Sequence, residues 1–182
     1  VSFPGGAVEA GESLQEAAVR ETCEELLLQP QQIDVFGEID YFVHYHRTIH
    51  CFVGQVLVED WQSIQPNHDE VARIFPVSLK SLMQEGPTYH SLALTVDQEQ
   101  DFPFDRIHRG QDYPFTERAR SIPFYDQKGE TIWGMTALFT HRFTEIVKTN
   151  KKMLDLKSGI FVLANKNFLE VKSEIMHISF RY

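Results

Sequence analysis

Four glutamates and an arginine crowd the start of the chain: Glu12, Arg20, Glu21, Glu24 and Glu25. At about 100° per residue, Glu21 and Glu25 fall on one helix face with Leu14, Ala17, Ala18 and Leu28, and Glu24 lies at its edge. Like charges three and four residues apart repel by a few tenths of a kcal/mol on an exposed helix, and by more where water is partly excluded. A bound divalent cation reverses that sign. Hard cations such as Mg²⁺ prefer oxygen ligands, keep several waters, and are held by one or two carboxylates together with substrate phosphates. The preceding Gly5-Gly6 turn lets backbone approach the same region closely, so that the Gly6 carbonyl is a candidate further ligand. Without a cation, the same pattern is a solvated helix face laced with weak ion pairs.

Positioning these groups requires a helix, and its start is marked. Ser13 with Glu16 three residues later forms a capping box, which predicts a helix from Leu14 to about Leu27. Three β-rich stretches follow, Ile33 to Ile39, Tyr41 to Tyr45 and Thr48 to Val58, with a hairpin at His46-Arg47. Val71 to Val77 reads as a strand and Ser78 to Gln84 as a short helix closed by Gly86. From Pro87 to Arg120 no stable period emerges, and the segment is expected to be irregular or a long functional loop. Ile122 to Tyr125 and Thr131 to Trp133 flank a turn at 126–129 and read as a hairpin. A last helix is expected from about Met135 to Lys148. The tail from Asn150 to Tyr182 alternates basic and apolar residues and could add a strand. The expected organisation is a domain over 1–149 and an extension over 150–182.

The chain of 182 residues suits one domain with a real core. A formal net charge of -9 argues against a broad electrostatic grip on nucleic acid, which needs a basic face. No apolar run suggests a membrane span. Cys23 and Cys51 cannot make a disulfide framework and fit a reducing compartment, expected to be the cytoplasm.

From Gly6 the chain reads Gly-x5-Glu12-x7-Arg20-Glu21-Thr22-x-Glu24-Glu25-x-Leu27-Leu28. This resembles the Nudix box, Gly-x5-Glu-x7-Arg-Glu-U-x-Glu-Glu-x-Gly-U, where U is a bulky aliphatic residue. Thr22 stands in place of the aliphatic and Leu27 in place of the glycine that normally ends the helix. The resemblance implies an α/β/α sandwich with a mixed sheet, Mg²⁺ or Mn²⁺ held by Glu21, Glu24 and Glu25, and a bracing ion pair between Glu12 and Arg20. Glu70 corresponds to a downstream carboxylate that completes the metal site or orients water, and with Glu24 it is a candidate catalytic group. The alternative for Glu70 is a surface residue at a strand start.

The flanks are similar to the coenzyme A pyrophosphatase subfamily: Val1-Ser2-Phe3-Pro4-Gly5-Gly6, then Asp69-Glu70-Val71 running into Phe75-Pro76-Val77, and Ile132-Trp133-Gly134-Met135-Thr136-Ala137. The likeness covers roughly residues 1 to 147. It implies hydrolysis of a pyrophosphate bond in coenzyme A or acyl-CoA, giving 3',5'-ADP and (acyl-)4'-phosphopantetheine. ADP-ribose or dinucleotide hydrolysis, or nucleotide binding without turnover, are the alternatives, and a homodimer is a possible assembly. The family has strands before Phe-Pro-Gly-Gly, whereas only Val1 and Ser2 stand there in this sequence. An N-terminally truncated sheet is therefore expected, in a fragment or in a short form that completes its core with the tail.

Other candidates compete with simpler readings. His44, His46 and His50 are either a transition-metal site or hairpin polar residues. Cys23 has no identifiable base and suits packing. Arg106 and Arg109, with His108, could bind a substrate phosphate or belong to an ordinary polar loop. Trp133 and the aromatics of the final helix are expected in the core.

Overall fold

The computed structural model describes residues 1–44, 47–94, 102–113, 118–127, 129–149, 160–166 and 175–181. The expected capping box opens helix α1, Leu14–Leu26: the Glu16 amide donates to Ser13 Oγ at 3.2 Å and the Ser13 amide to Glu16 Oε2 at 2.7 Å. The helix ends at Leu27, whose backbone is left-handed (φ 49°, ψ 44°) and whose N–H bonds the Cys23 carbonyl. Leu27 thus adopts the conformation that the box glycine would occupy without strain.

Strand β1, Ile33–His44, runs antiparallel to β2, Arg47–Val56. The two strands expected over 33–39 and 41–45 are one strand as far as His44. Register shifts between Val35 and Gly37 and between Glu38 and Asp40 interrupt its pairing, and bulges of this kind break the alternation that a sequence reading follows. Tyr45 and His46, at the expected hairpin, lie outside the described residues.

Strand β3, Val71–Ser78, leads directly into helix α2, Leu79–Glu85, which is capped by Ser78 and closed at Gly86. Strand β4, Thr88–Leu94, then pairs antiparallel with β5, Arg118–Gln127. The expectation of an irregular segment from Pro87 to Arg120 is corrected at both ends. In β4 every side chain from Thr88 to Ala93 is exposed, so no buried face imposes the two-residue hydrophobic period. Between them, two single turns of 3-10 helix occupy Phe104–Arg106 and Gly110–Asp112. The β5 hairpin closes with β6, Glu130–Trp133, as Gln127 pairs with Glu130. Helix α3, Gly134–Thr149, follows.

The tail supplies two strands, β7 (Ile160–Lys166) and β8 (Ile175–Arg181). They belong to the principal sheet, whose order is β1-β2-β8-β7-β3, with β8 parallel to β2 and the other neighbours antiparallel. A second sheet has the order β4-β5-β6.

Alternate residues of β2 explain the layers. Ile49, Cys51 and Val53 point into the core shared with α2 (Leu79, Leu82) and α3 (Phe139, Phe143, Val147), and Phe3 joins them. Phe52 and Val56 point the other way, against Ala17, Ala18 and Leu26 of α1. With apolar side chains on both faces, the sheet must be covered twice. The result is an α/β/α sandwich with a mixed sheet. Phe139 and Phe143 are buried as expected, but Trp133 is 54% exposed, because its neighbour Ile132 takes the inward position of the strand. No helix among the described residues is long and apolar enough to cross a membrane.

Candidate active site

The amino-terminal turn is locked onto α1 through the glutamates. Glu25 is fully buried, and its Oε1 accepts the Gly5 N–H at 2.8 Å. Gly6 lies so close to Glu21 that an added Cβ would stand 2.2 Å from Glu21 Oε1. Only a residue without a side chain allows that approach.

Arg20 organises the rest. Its Nε and Nη2 bond the two oxygens of Glu12 at 3.1 and 2.8 Å, and Nη2 also donates to the Ala7 carbonyl at 2.9 Å. Its Nη1 reaches Glu21 Oε1 at 2.9 Å and Glu24 Oε2 at 3.2 Å. The fork therefore ties the loop before the helix to the helix itself, in the planar two-bond geometry that guanidinium groups favour. Hydrogen bonding to Arg20 holds the Glu12 carboxyl below the usual carboxylate range. The same bond, above all, pushes the Arg20 guanidinium further up, so it stays charged.

The three proposed ligands share one helical turn but not one environment. Glu25 is buried, the Glu21 side chain is 14% exposed and the Glu24 side chain 53%. Glu21 and Glu24 converge on one cationic nitrogen, whereas Glu25 faces the Gly5 amide. Among the described residues, no three His, Cys, Asp or Glu side chains form a group able to hold a metal as placed. The donor set nevertheless fits a hard divalent cation: carboxylate oxygens that already gather around positive charge, beside a glycine whose missing Cβ leaves the approach to Glu21 open.

Glu70 is exposed in the turn that opens β3. That turn is fastened to the end of α1, because the Asn67 amide donates to the Glu25 carbonyl at 2.8 Å, and the Glu70 and Val71 amides donate to the Asn67 carbonyl at 3.1 and 2.8 Å. Asn67 thus couples the second candidate carboxylate to the first cluster. Its Oδ1 also accepts from the Asp69 amide, the Asx-turn habit that could have flagged it in the sequence.

Residues 1–95 match the NUDIX domain, just over half of the chain and the whole of this constellation. The chain belongs to the Nudix family. It is 28% identical over 142 residues to the mitochondrial coenzyme A diphosphatase NUDT8 of Mus musculus, covering 77% of this chain and 59% of the relative. It is 21% identical to Nudix hydrolase 3 of Caenorhabditis elegans, with 86% and 63% covered. It is 31% identical to the uncharacterized Nudix hydrolase NudL of Pectobacterium atrosepticum, with 78% and 64% covered. The chain spans about three-fifths of the length of these relatives.

Thr22 departs from the Nudix box at a buried position where an aliphatic residue is usual, and its hydroxyl is satisfied by donating to the Ala18 carbonyl at 2.8 Å. Cys23 lines an open groove of about 550 Å³ on the outer flank of α1, with Glu12, Arg20, Glu24 and Pro30. Burial pushes its thiol above the ordinary value, which disfavours the nucleophilic thiolate. Outside the Nudix box, Arg106 and Arg109 are exposed on the turns of 102–113, and among the described residues no bond links either to the α1 carboxylates. His50 pairs across the β1–β2 ladder with Glu38 at 2.7 Å and stacks on Tyr41. It serves there as a strand residue, while the side chains of His44 and His46 lie outside the described residues.

Proposed function

We propose that this protein is a metal-dependent pyrophosphohydrolase acting on a nucleoside diphosphate linked to another group. One observation carries the reading: within a Nudix domain, Glu21, Glu24 and Glu25 occupy one helical turn that is bonded to the Gly5-Gly6 loop and, through Asn67, to the turn bearing Glu70. Glu21, Glu24 and Glu25, with the Gly6 carbonyl, would hold Mg²⁺ or Mn²⁺. Such an ion neutralises diphosphate charge and acidifies water.

The chain's own residues do the rest. Arg20 and Glu12 hold the loop against the helix and keep the carboxylates aimed. Glu24, the most exposed of the three, and Glu70 are our candidates to take the proton of an attacking water. That water forms a new bond to phosphorus while the bridging P–O bond breaks and its electron pair leaves with the second phosphate. Burial of Glu25 keeps its carboxylate fixed beside the Gly5 amide.

Likeness to a coenzyme A diphosphatase and the flanking segments favour coenzyme A or acyl-CoA as substrate, split to 3',5'-ADP and (acyl-)4'-phosphopantetheine. We place the enzyme in a reducing compartment, the cytoplasm, on its two free thiols. The deciding experiment measures Mg²⁺- or Mn²⁺-dependent release of 3',5'-ADP from coenzyme A, with ADP-ribose in parallel, for the chain and its Glu25→Gln variant. Metal-dependent product that falls at least tenfold in the variant supports the enzyme. A folded chain that binds nucleotide but forms no product from either substrate assigns it a binding role instead.

A further inference from the structure

Among the described residues the two sheets end in four outer strands: β1 and β3 flank the principal sheet, β4 and β6 the second. An outer strand offers a row of backbone N–H and C=O groups to any passing strand, and chains that stay apart blunt it with bulges, charges, proline or shortness. Three of the four carry such devices. Strand β1 is interrupted by two register shifts and bears Asp34, Glu38 and Asp40. Strand β3 has a register shift between Val71 and Arg73, the Arg73 charge, and Pro76, which has no N–H. Strand β6 is four residues long and opens on Glu130.

Strand β4 carries none of them. From Thr88 to Leu94 it contains no Asp, Glu, Lys, Arg, Pro or Gly. Its register with β5 is unbroken over all seven residues, from Thr88 opposite Phe124 to Leu94 opposite Arg118. Every side chain from Thr88 to Ala93 is exposed, Tyr89 at 53% and Leu92 at 52%. The strand is nonetheless held in place, because β5 pairs it on one side and the Tyr89 ring meets His141 of α3 edge-on at 6.5 Å. A straight, fixed, uncharged edge has little order left to lose when another strand adds to it.

We infer that β4 is a contact between two copies of this chain, each β4 pairing antiparallel with its counterpart about a two-fold axis at Ser91. Charge selects the occupant. A formal net charge of -9 sets two copies against each other over most of their surface, and β4 is the free edge on which that opposition is absent; a charged peptide would find no countercharge there. The charges opposite β4, Arg118 and Arg120 of β5, stand three strand spacings from their copies, roughly 14 Å, beyond the screening length of about 8–10 Å in physiological salt. The strand is also complementary to itself. With Ser91 at the axis all seven residues find partners: Tyr89 lies opposite Ala93 of the partner subunit and His90 opposite Leu92 of the partner subunit, so each ring meets an aliphatic side chain. The pairing joins two three-stranded sheets into one of six strands.

Sedimentation equilibrium tests it at micromolar concentrations, up to about 100 μM, on the chain and on Ser91→Lys and Ser91→Asp. The axis sets position 91 against itself, so either variant alone brings like charges together. Support is a mass near twice 21.1 kDa for the chain, near 21.1 kDa for each variant, and the doubled mass again when the two variants are mixed in equal amounts. Such recovery is expected only where position 91 meets its own copy. A chain that stays at 21.1 kDa overturns the proposal and leaves the edge to a partner of another sequence. So does a doubled mass that survives in both variants, which places the contact elsewhere, and so do variants that stay apart when mixed. Circular dichroism checks that both variants fold. Should either fail, Ser91→Cys decides: mild oxidation links it into a dimer that a reductant reverses if β4 pairs at Ser91, and no link beyond that of the unsubstituted chain overturns the pairing.

Discussion

Leu27 offers a clean test of the helix terminus, because two substitutions there differ only in a methyl group. A left-handed backbone costs a residue with a Cβ about 1–2 kcal/mol, and Leu27 bears that cost at φ 49° and ψ 44°. Its side chain is 60% exposed, so Leu27→Ala and Leu27→Gly lose the same modest packing. Glycine escapes the steric cost but gives up roughly 0.4–1 kcal/mol more conformational entropy on folding. The difference leaves Leu27→Gly more stable than Leu27→Ala by about 0.5–1 kcal/mol.

The sign is what discriminates, since in a helix interior glycine is less stable than alanine by about 0.8–1 kcal/mol. Urea denaturation of the two variants measures the gap directly. In thermal melts, where about 1 kcal/mol moves Tm by roughly 2–4 °C in a domain of this size, Leu27→Gly should melt about 1–4 °C higher. Because the Leu27 side chain points to solvent, turnover in Leu27→Gly should stay within about twofold. An alanine variant as stable as the glycine variant, or more so, refutes the left-handed cap and with it the claim that Leu27 is tolerated only at a cost.

Glu12→Gln should destabilise the chain at neutral pH and lose that effect in acid. The Glu12 carboxyl titrates below its ordinary value when folded, so its contribution is complete above the unfolded value near 4.3 and disappears as pH falls through the folded one. Melts from pH 7 downward should show the full gap between wild type and variant at pH 7 and a gap that narrows as the pH falls below the unfolded value. Gly6→Ala places a Cβ against Glu21 Oε1; kcat/KM should fall at least about tenfold, some 1.4 kcal/mol of transition-state stabilisation, while Tm changes little because the end of a side chain moves and no backbone does. A thiol-reactive disulfide at pH 7.5 should label Cys23 slowly and Cys51 not at all in the native chain, since burial pushes the Cys51 thiol well up. Both should react in urea, and fast native labelling of Cys51 would contradict the packed β2 face.

The sequence exposed the site better than the sheet. A capping box, two glycines and four glutamates act over short separations, so their spacing carries geometry: Ser13 starts the helix, and the helix sets the spacing of Glu21, Glu24 and Glu25. The sheet depends on partners far along the chain. Strand β4 has exposed residues throughout Thr88 to Ala93 and gains its identity only from β5. The tail shows no sign that β8 lies beside β2 or β7 beside β3, because the alternation that marks a strand does not name its neighbour. Arg106 and Arg109 are the opposite case: two cations near each other in sequence look like a phosphate site, and among the described residues no bond joins either to α1. Asn67 holds the end of α1 through its backbone, and only its Asx turn onto the Asp69 amide is written in its residue type.

Arg20 shows how the box can hold its carboxylates and still present them. Two edges of its guanidinium serve different partners: Nε and Nη2 bind Glu12 and Ala7, while Nη1 bridges Glu21 and Glu24. A divalent cation that drew Glu21 and Glu24 away would compete with Nη1 alone. The bonds to Glu12 and Ala7 that brace the loop would persist, so loading a metal need not dismantle the scaffold. Arg20→Lys is the substitution that separates these roles, because an ammonium group supplies a charge but no planar fork. It should keep the attraction to the glutamates yet lose the two-bond clamp on Glu12, lowering Tm at neutral pH. Adding Arg20→Lys to Glu12→Gln should then cost less than adding it to the wild type, a non-additivity expected only where both residues serve one contact. Strict additivity in that double-mutant cycle would show that the Glu12 clamp does not hold the loop, and the reading of Arg20 as a two-sided brace would fall.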